Sequence, residues 1–274
     1  MEQQEKGGVE YLTFPAFSET GIVNHLFSTR IGGVSEGIFA SMNLSFTRGD
    51  KEEAVLENYH RVAEVLDCAV EDFVCSDQTH TTNIRLVTGK DRGKGVVRSK
   101  DYTDIDGLIT NEEGIILVTF YADCVPLYFV DPVNKAIGLA HSGWKGTVNR
   151  MGREMVYAMG EAFGTKPEDL LVAIGPSICQ ECYEISLDVA EQFMNAFPDA
   201  TVQEEILYET VTGEKYHLNL QRANAYILEE CGIPEEQISV TDICTCCNPD
   251  YLFSHRASQG KRGNLAAFLG LRKY

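Results

Sequence analysis

The sequence predicts a fold of the α/β or α+β class that is built on mixed sheets. Short apolar runs, which are typical of buried strands, alternate irregularly with segments whose apolar residues recur at helical spacing. A predicted hairpin over residues 208–216, with Thr212 and Gly213 in its turn, requires some antiparallel pairing. The chain contains no repeat of fixed period and no low-complexity linker, so we expect one continuous domain over residues 1–274.

Apolar runs that predict strands account for most of the expected core. The three runs at the centre of the chain contain almost no polar residues, which is typical of strands buried on both faces. The predicted strands span residues 26–30, 84–87, 115–120, 127–130, 136–140, 170–174 and 238–243.

Helical spacing of apolar residues predicts helices that cover these strands. They span residues 50–66, 147–160, 187–197 and 220–230. Asp50 suits the N-cap of the first helix, and Gly232 suits the C-cap of the last. The basic, glycine-rich stretch 89–100 predicts an exposed loop.

Composition and charge narrow the class of protein. Hydrophobic residues make up 44% of the chain and charged residues 23%, which are ordinary values for a globular protein. The net charge of -18 argues against nucleic-acid binding, because most of the surface repels a polyanion. The chain shows neither a signal peptide nor an apolar run near the ~20 residues of a membrane span, so we expect a soluble cytoplasmic protein.

A basic group lies near the end of this acidic chain. Arg256, Lys261 and Arg262 either form a solvated basic end or provide the natural seat for a small anion.

The nine cysteines do not form the pattern of a disulfide framework, so we interpret them as thiols. Two groups, Cys179 with Cys182 and Cys244 with Cys246 and Cys247, supply enough thiols for a structural zinc site. The second group has a CxCC pattern, and the two lie far apart in the chain. We therefore interpret both groups as unligated thiols in core or turn positions.

His80, Cys124 and His141 are the sharpest candidates for chemistry. Cys124 lies between two predicted buried strands, and His141 directly follows a third. His80 lies between two extended segments. A catalytic zinc site uses three protein ligands of these types and keeps a fourth position open. A second hypothesis makes Cys124 a nucleophile with His141 or His80 as its base, and a third leaves all three as structural residues. The sequence does not separate these hypotheses.

Several motifs together resemble those of the YfiH/YlmD family. They occupy residues 29–35, 42–45, 77–80, 122–126, 141–147, 175–178 and 244–263, so the resemblance covers nearly the whole chain. Where the family usually has Ser-Tyr-Arg-Arg, this chain has Ser254-His255-Arg256-Ala257.

The resemblance implies a fold and an activity. The family was first described as laccase-like multicopper polyphenol oxidases and later as purine nucleoside phosphorylases. It implies a four-layer α/β/β/α sandwich and a zinc site at His80, Cys124 and His141. It also implies phosphorolysis of adenosine, inosine, guanosine and methylthioadenosine, with adenosine deaminase activity as well.

The hypothesis of a zinc-dependent purine nucleoside phosphorylase assigns further residues to the site. Asp123 would carry a proton or orient a ligand, and the candidates for binding substrate are Asn43, Arg48, Trp144, Lys145 and Arg256. Trp144 could wall a pocket for a flat ligand, and Arg48, Lys145 and Arg256 could hold phosphate.

Two further alternatives remain, in addition to the phosphorylase and to an enzyme that uses Cys124 as its nucleophile. Copper could replace zinc and oxidise phenols, although six histidines without an HxH pair cannot build the several copper sites of a laccase. The chain could also be a metal-binding partner protein without catalysis.

Overall fold

The structure is a computed structural model that describes residues 1–211 and 214–273. In that part of the chain the strands are β1 (Glu2–Lys6), β2 (Val9–Thr13), β3 (Val23–Ser28), β4 (Phe73–Cys75), β5 (Ile84–Leu86), β6 (Gly107–Thr110), β7 (Ile116–Tyr121), β8 (Val125–Asp131), β9 (Ala136–Ser142), β10 (Leu171–Ile174), β11 (Glu184–Ser186), β12 (Leu207–Glu209), β13 (Lys215–Leu218), β14 (Ile238–Val240) and β15 (Leu265–Leu271). The helices are α1 (Pro15–Thr20), α2 (Glu52–Val65), α3 (Trp144–Val148), α4 (Met151–Phe163), α5 (Leu187–Ala196), α6 (Ala200–Ile206), α7 (Leu220–Glu230) and α8 (His255–Ser258). None of the described helices has the length and apolarity needed to cross a membrane.

Two six-stranded sheets carry the fold. The first has the strand order β1-β2-β3-β15-β7-β4 and is antiparallel except for the β4/β7 pair. The second has the order β14-β10-β8-β9-β6-β5 and is parallel only at its two edges. Both sheets are mixed, as the sequence predicts. Since β15 lies between β3 and β7, the end of the chain is built into the middle of the first sheet.

A small third sheet has the order β11-β13-β12. Its strands β12 and β13 pair antiparallel, as the predicted hairpin requires. The predicted turn residues Thr212 and Gly213 lie outside the described residues.

Alternating side chains divide the core into three clusters, and these define the layers. On β7, Leu117 faces the second sheet whereas Val118 packs with α2. On β8, Tyr128 faces the first sheet whereas Phe129 packs with α4, α5 and α7. Each fully buried side chain of this size stabilises the fold by about 1.5–3 kcal/mol. The layers therefore run α2, first sheet, second sheet, then α4, α5 and α7, which confirms the four-layer α/β/β/α sandwich.

The predicted helix over residues 147–160 is wrong in one respect, because the structure divides it into α3 and α4. Arg150 adopts a left-handed conformation with φ of 63° between the two helices. Its guanidinium donates to the carboxylate of Glu230 and to the carbonyl of Ala196, contacts that local helical spacing does not reveal. Packing against α7 and the end of α5 therefore overrides the helical pattern.

The predicted caps of two helices have different outcomes. Lys51, and not Asp50, is the N-cap of α2, and the Asp50 carboxylate instead accepts a hydrogen bond from Nδ2 of Asn43 at 2.9 Å. Gly232 follows α7 with φ of 88°, as a helix end requires.

The stretch 89–100, predicted to be an exposed loop, is partly buried. Lys94 is buried, with its ammonium 2.8 Å from the Asp91 carboxylate. Pairing the charges lets the protein bury both.

Candidate active site

Three side chains that can bind a metal meet at one end of the second sheet. In the β8/β9 pair Pro126 lies opposite His141, which places Cys124, two residues earlier, on the face that carries His141. His80 comes from the loop after β4. The Cys124 sulfur and one ring nitrogen of each histidine all lie within 4.8 Å of one another. The predicted trio is therefore brought together.

The Asp106 carboxylate positions two of these three residues, His141 and His80. This buried carboxylate lies 2.8 Å from Nδ1 of His141. The same carboxylate accepts hydrogen bonds from the backbone N–H groups of Thr79, His80 and Thr81 at 3.0, 3.2 and 2.9 Å. Consecutive N–H groups converge on one anion when a residue between them is left-handed, and His80 has φ of 67°. One carboxylate thus orients the His141 ring and shapes the loop that carries His80.

Sequence reasoning missed Asp106. An Asp-Gly dipeptide has the local pattern of a turn, whereas Asp106 directly precedes β6, which is parallel to β5 and antiparallel to β9. The backbone carbonyl of Asp106 accepts from the N–H of His141 at 2.9 Å. With Nδ1 of His141 committed to Asp106, Nε2 is the nitrogen left for a metal.

The site is charged even without a metal. Burial raises the pKa of the Cys124 thiol, but the charge on His141 and hydrogen bonds from both histidines outweigh it and bring the pKa down to about 6. Burial lowers the pKa of His141, but the Cys124 thiolate and Asp106 outweigh it and raise the pKa to about 9. At neutral pH the metal-free site is therefore a thiolate beside an imidazolium.

Gly143 allows the trio to close. A Cβ built on Gly143 would lie 3.0 Å from the Cys124 sulfur and 3.0 Å from Cδ2 of His80, tighter than nine in ten real Cβ contacts. Its φ of -76° is ordinary, so close approach of these two side chains, and not backbone conformation, favours glycine here.

The donor set fits a transition metal. Two imidazole nitrogens and one thiolate suit zinc or copper, and three protein ligands leave a fourth position open, which is the arrangement of catalytic sites. His141 is buried at the inner side, whereas His80 is exposed toward solvent. A metal held by these three side chains would therefore be reached by a substrate from the exposed side, where His80 lies.

A cleft of about 800 Å³ is lined in part by these three side chains. Arg48 and Arg262 line it together with His80, Cys124 and His141. Nε of Arg262 is buried and has no hydrogen-bond partner among the described residues. Burial and the nearby charge of Arg48 lower the pKa of Arg262 to about 10. Two neighbouring guanidiniums that line one cleft form a candidate binding site for an anion.

Two other residues assigned from the sequence support the cleft from outside. The Asn43 side chain accepts hydrogen bonds from the N–H groups of Ser45 and Asn264, which joins two segments that line the cleft. The Asp123 carboxylate accepts from the hydroxyl of Thr245 at 2.6 Å and from the N–H of Arg256 at 2.8 Å. Both side chains are occupied in holding neighbouring segments.

The remaining candidates lie outside the set of described residues that line the cleft. The Arg256 guanidinium donates to the carbonyls of Cys182 and Glu184. Trp144 packs against the core on the helix side of the second sheet, and the Lys145 ammonium lies 5.6 Å from its ring. Of the predicted substrate-binding residues, Arg48 is thus the one that the structure places in the cleft.

Comparison with known proteins agrees with this architecture. The model of the family described as multi-copper polyphenol oxidoreductase laccase matches residues 24–272. Purine nucleoside phosphorylase YlmD of Bacillus subtilis is 38% identical over 251 residues, which cover 90% of this chain and 88% of that protein. Purine nucleoside phosphorylase YlmD of Geobacillus stearothermophilus is 36% identical over 275 residues, which cover 99% of this chain and 97% of that protein.

Solved structures have the same fold. The crystal structure of the hypothetical protein YfiH of Bacillus licheniformis superposes with a TM-score of 0.91 at 34% identity, over 98% of this chain and 99% of that one. YlmD from Geobacillus stearothermophilus superposes with a TM-score of 0.87 at 35% identity, over 99% of this chain and 98% of that one. The chain therefore belongs to the YfiH/YlmD family, which the multi-copper polyphenol oxidoreductase laccase model describes.

Proposed function

We propose that this protein is a zinc-dependent purine nucleoside phosphorylase that also deaminates adenosine. The observation that carries the proposal is a single cleft that contains both the group His80, Cys124 and His141 and the pair Arg48 and Arg262. The names of the two YlmD relatives support the phosphorylase activity. As substrates we propose adenosine, inosine, guanosine and methylthioadenosine, with phosphate as the second substrate.

Arg48 and Arg262 are the proposed phosphate site. Burial and the charge of Arg48 together lower the pKa of Arg262, and the charge of a bound phosphate would relieve the repulsion between the two guanidiniums. Arg48 is exposed and donates to the carbonyl of Gly260, so it sits at the entrance to the cleft. Phosphate held at this position is oriented before it reacts, which lowers the entropic part of the barrier.

The nucleoside would occupy the rest of the cleft. Phe46, Val96 and Phe120 line it and offer apolar contact to a flat purine base. In phosphorolysis a phosphate oxygen forms a bond to C1′ of the ribose while the bond from C1′ to N9 of the base breaks. The base leaves with the electron pair of that bond and takes up a proton, giving free base and ribose 1-phosphate.

His80, Cys124 and His141 are the proposed zinc ligands. Bound zinc supplies a Lewis acid, which can polarise a purine ring or activate water for deamination. Asp106 keeps Nδ1 of His141 engaged, so that Nε2 points to the metal position. We assign Asn43 and Asp123 positioning roles, because their side chains hold the segments around the cleft. Trp144, Lys145 and Arg256 lie beyond the cleft wall, where any effect on substrate would be indirect.

A second candidate, copper-dependent oxidation of phenols, is favoured by the description of the matching family model. Copper binds nitrogen and sulfur ligands more tightly than zinc does, so it can occupy the same three ligands. Among the described residues the groups able to hold a metal contain two histidines in all. That number is too small for the several copper sites of a laccase, so we rank the oxidase second.

Product analysis tests the proposed reaction. Zinc-loaded protein is incubated with adenosine, with and without phosphate, and the products are separated by chromatography. We expect inosine from deamination in both reactions, and adenine, hypoxanthine and ribose 1-phosphate only when phosphate is present. Copper-loaded protein with a phenol serves as the comparison. Oxidation of the phenol without any product from adenosine or inosine would contradict the phosphorylase and favour the oxidase.

Replacement of the buried arginine tests the phosphate site. Arg262→Gln removes the charge and the unused donor, so KM for phosphate should rise about 10- to 100-fold. Arg153→Gln, an exposed arginine on α4 in the outer helical layer, is the matched control and should leave KM unchanged. Equal values of KM for the Arg262→Gln and control proteins would remove Arg262 from the phosphate site.

Asp106→Asn tests the carboxylate that orients His141. Loss of its charge should weaken zinc binding about 10- to 100-fold, measured by competition with a chromophoric chelator. Asp104→Asn is the matched control, since Asp104 lies in the same loop and contacts Thr79 but not His141. Circular dichroism checks that both variants are folded. Unchanged zinc affinity in folded Asp106→Asn would show that Asp106 is not a positioning residue.

The pKa values predict how zinc affinity depends on pH. Cys124 is already a thiolate above pH 6, whereas His141, with a pKa of about 9, carries a proton that zinc must displace. The apparent affinity should therefore rise about tenfold per pH unit between pH 7 and 9, and level off above pH 9. Chelator competition across this range measures it. An affinity that stays constant from pH 7 to 9 would contradict a protonated His141.

A further inference from the structure

Four cysteines outside the cleft form a second compact group. The sulfur atoms of Cys179, Cys182, Cys244 and Cys247 all lie within 4.8 Å of one another. The Cys247 sulfur is 3.5 Å from that of Cys182 and 4.0 Å from that of Cys179. Their environment ranges from the buried Cys244 to the exposed Cys247. The fold therefore brings the two cysteine groups, which lie far apart in the sequence, into one cluster.

Parallel pairing in the second sheet brings the two groups together. β10 and β14 are parallel neighbours, so the segments that follow them leave the sheet at the same edge. Beyond the strands, Ser177 and Cys244 form a further parallel bridge, and the N–H of Thr245 donates to the carbonyl of Ser177 at 3.1 Å. The fold thus places the two cysteine-containing segments side by side, although they lie far apart in the sequence. Cys244 and Cys247 also have CxxC spacing, which the intervening Cys246 obscures.

The sulfur positions match a tetrahedral metal site. With zinc–sulfur bonds of about 2.3 Å, the sulfurs of a tetrahedral site lie about 3.8 Å apart, between the two distances found here. A disulfide would need two sulfurs about 2.05 Å apart, well below both of these distances, and the four cysteines are free thiols. Two backbone N–H groups, of Cys179 and Cys247, point to the Cys244 sulfur at 3.2 and 3.4 Å. Such donors stabilise a thiolate ligand.

We propose that Cys179, Cys182, Cys244 and Cys247 bind a second, structural zinc ion. Four thiolates complete a tetrahedral shell and leave no position for water or substrate, which is the arrangement of structural and not catalytic zinc. The site is separate from His80, Cys124 and His141 and shares no ligand with that group.

The four-cysteine site braces the segment that carries Cys124. The N–H of Ile178, one residue before Cys179, donates to the Asp123 carbonyl at 3.1 Å. The hydroxyl of Thr245, one residue after Cys244, donates to the Asp123 carboxylate. Zinc at this site would fix both loops and, through Asp123, the backbone beside Cys124.

Spectroscopy on a variant that lacks the first site tests the proposal. Cys124→Ala removes a ligand of the first site and leaves the four cysteines intact. The variant is loaded with zinc and dialysed under reducing conditions. Inductively coupled plasma mass spectrometry should then find one zinc per chain. X-ray absorption should show that this zinc has four sulfur neighbours at about 2.3 Å. This result does not depend on whether the proposed phosphorylase activity is correct.

Thiol replacement identifies the ligands. Cys179→Ser combined with Cys247→Ser should contain one zinc fewer than the unaltered protein. Cys231→Ser, a cysteine at the end of α7 away from the cluster, is the matched control and should lose none. The proposal is overturned if the Cys124→Ala protein retains no zinc, if its zinc has nitrogen or oxygen neighbours, or if mass mapping finds disulfides among the four cysteines under reducing conditions.

Discussion

The geometry of the active site depends on the buried carboxylate of Asp106. It contacts Nδ1 of His141 on β9 and the N–H groups of the loop that carries His80. Burial raises the pKa of Asp106, but the hydrogen bond and charge of His141 and the N–H groups of the loop outweigh it, so the pKa is lowered and the charge is retained. A charge buried with this many donors is stable in place and holds two separate segments in one arrangement. Without it, neither the ring of His141 nor the left-handed turn at His80 has a fixed position.

The fold supplies the other constraints at the same end of the sheet. The β8/β9 register fixes Cys124 relative to His141, and Gly143 leaves room for the side chains of Cys124 and His80. Arg262 reaches the cleft because it lies just before β15, the strand that pairs with β7 in the first sheet. The cleft thus collects residues from distant parts of the chain. Strand pairing places His141 and the segments that carry Cys124 and Arg262, whereas the Asp106 carboxylate holds the loop that carries His80.

The sequence predicts many of the local elements. Apolar runs locate β7, β8 and β9, and the residue types single out His80, Cys124 and His141 as one group, although a metal site, a cysteine nucleophile and a structural role all remain open from the sequence. What it does not predict depends on tertiary pairing. Asp106 has the local pattern of a turn, and its role follows from contacts with β9. The four cysteines are joined through the parallel β10/β14 pair, which no local pattern encodes. Arg262 and Arg256 cannot be ranked from a basic stretch, because only the structure shows which guanidinium faces the cleft and which is bound to carbonyl oxygens.

The measurement that tests the central claim most directly is a crystal structure of the zinc-loaded protein with anomalous data on both sides of the zinc edge. We predict an anomalous peak about 2.0–2.1 Å from a ring nitrogen of His80 and from Nε2 of His141, and about 2.3 Å from the Cys124 sulfur. The Asp106 carboxylate should remain on Nδ1 of His141. The absence of zinc between these three side chains, or zinc bound to Nδ1 with Asp106 displaced, would contradict the account.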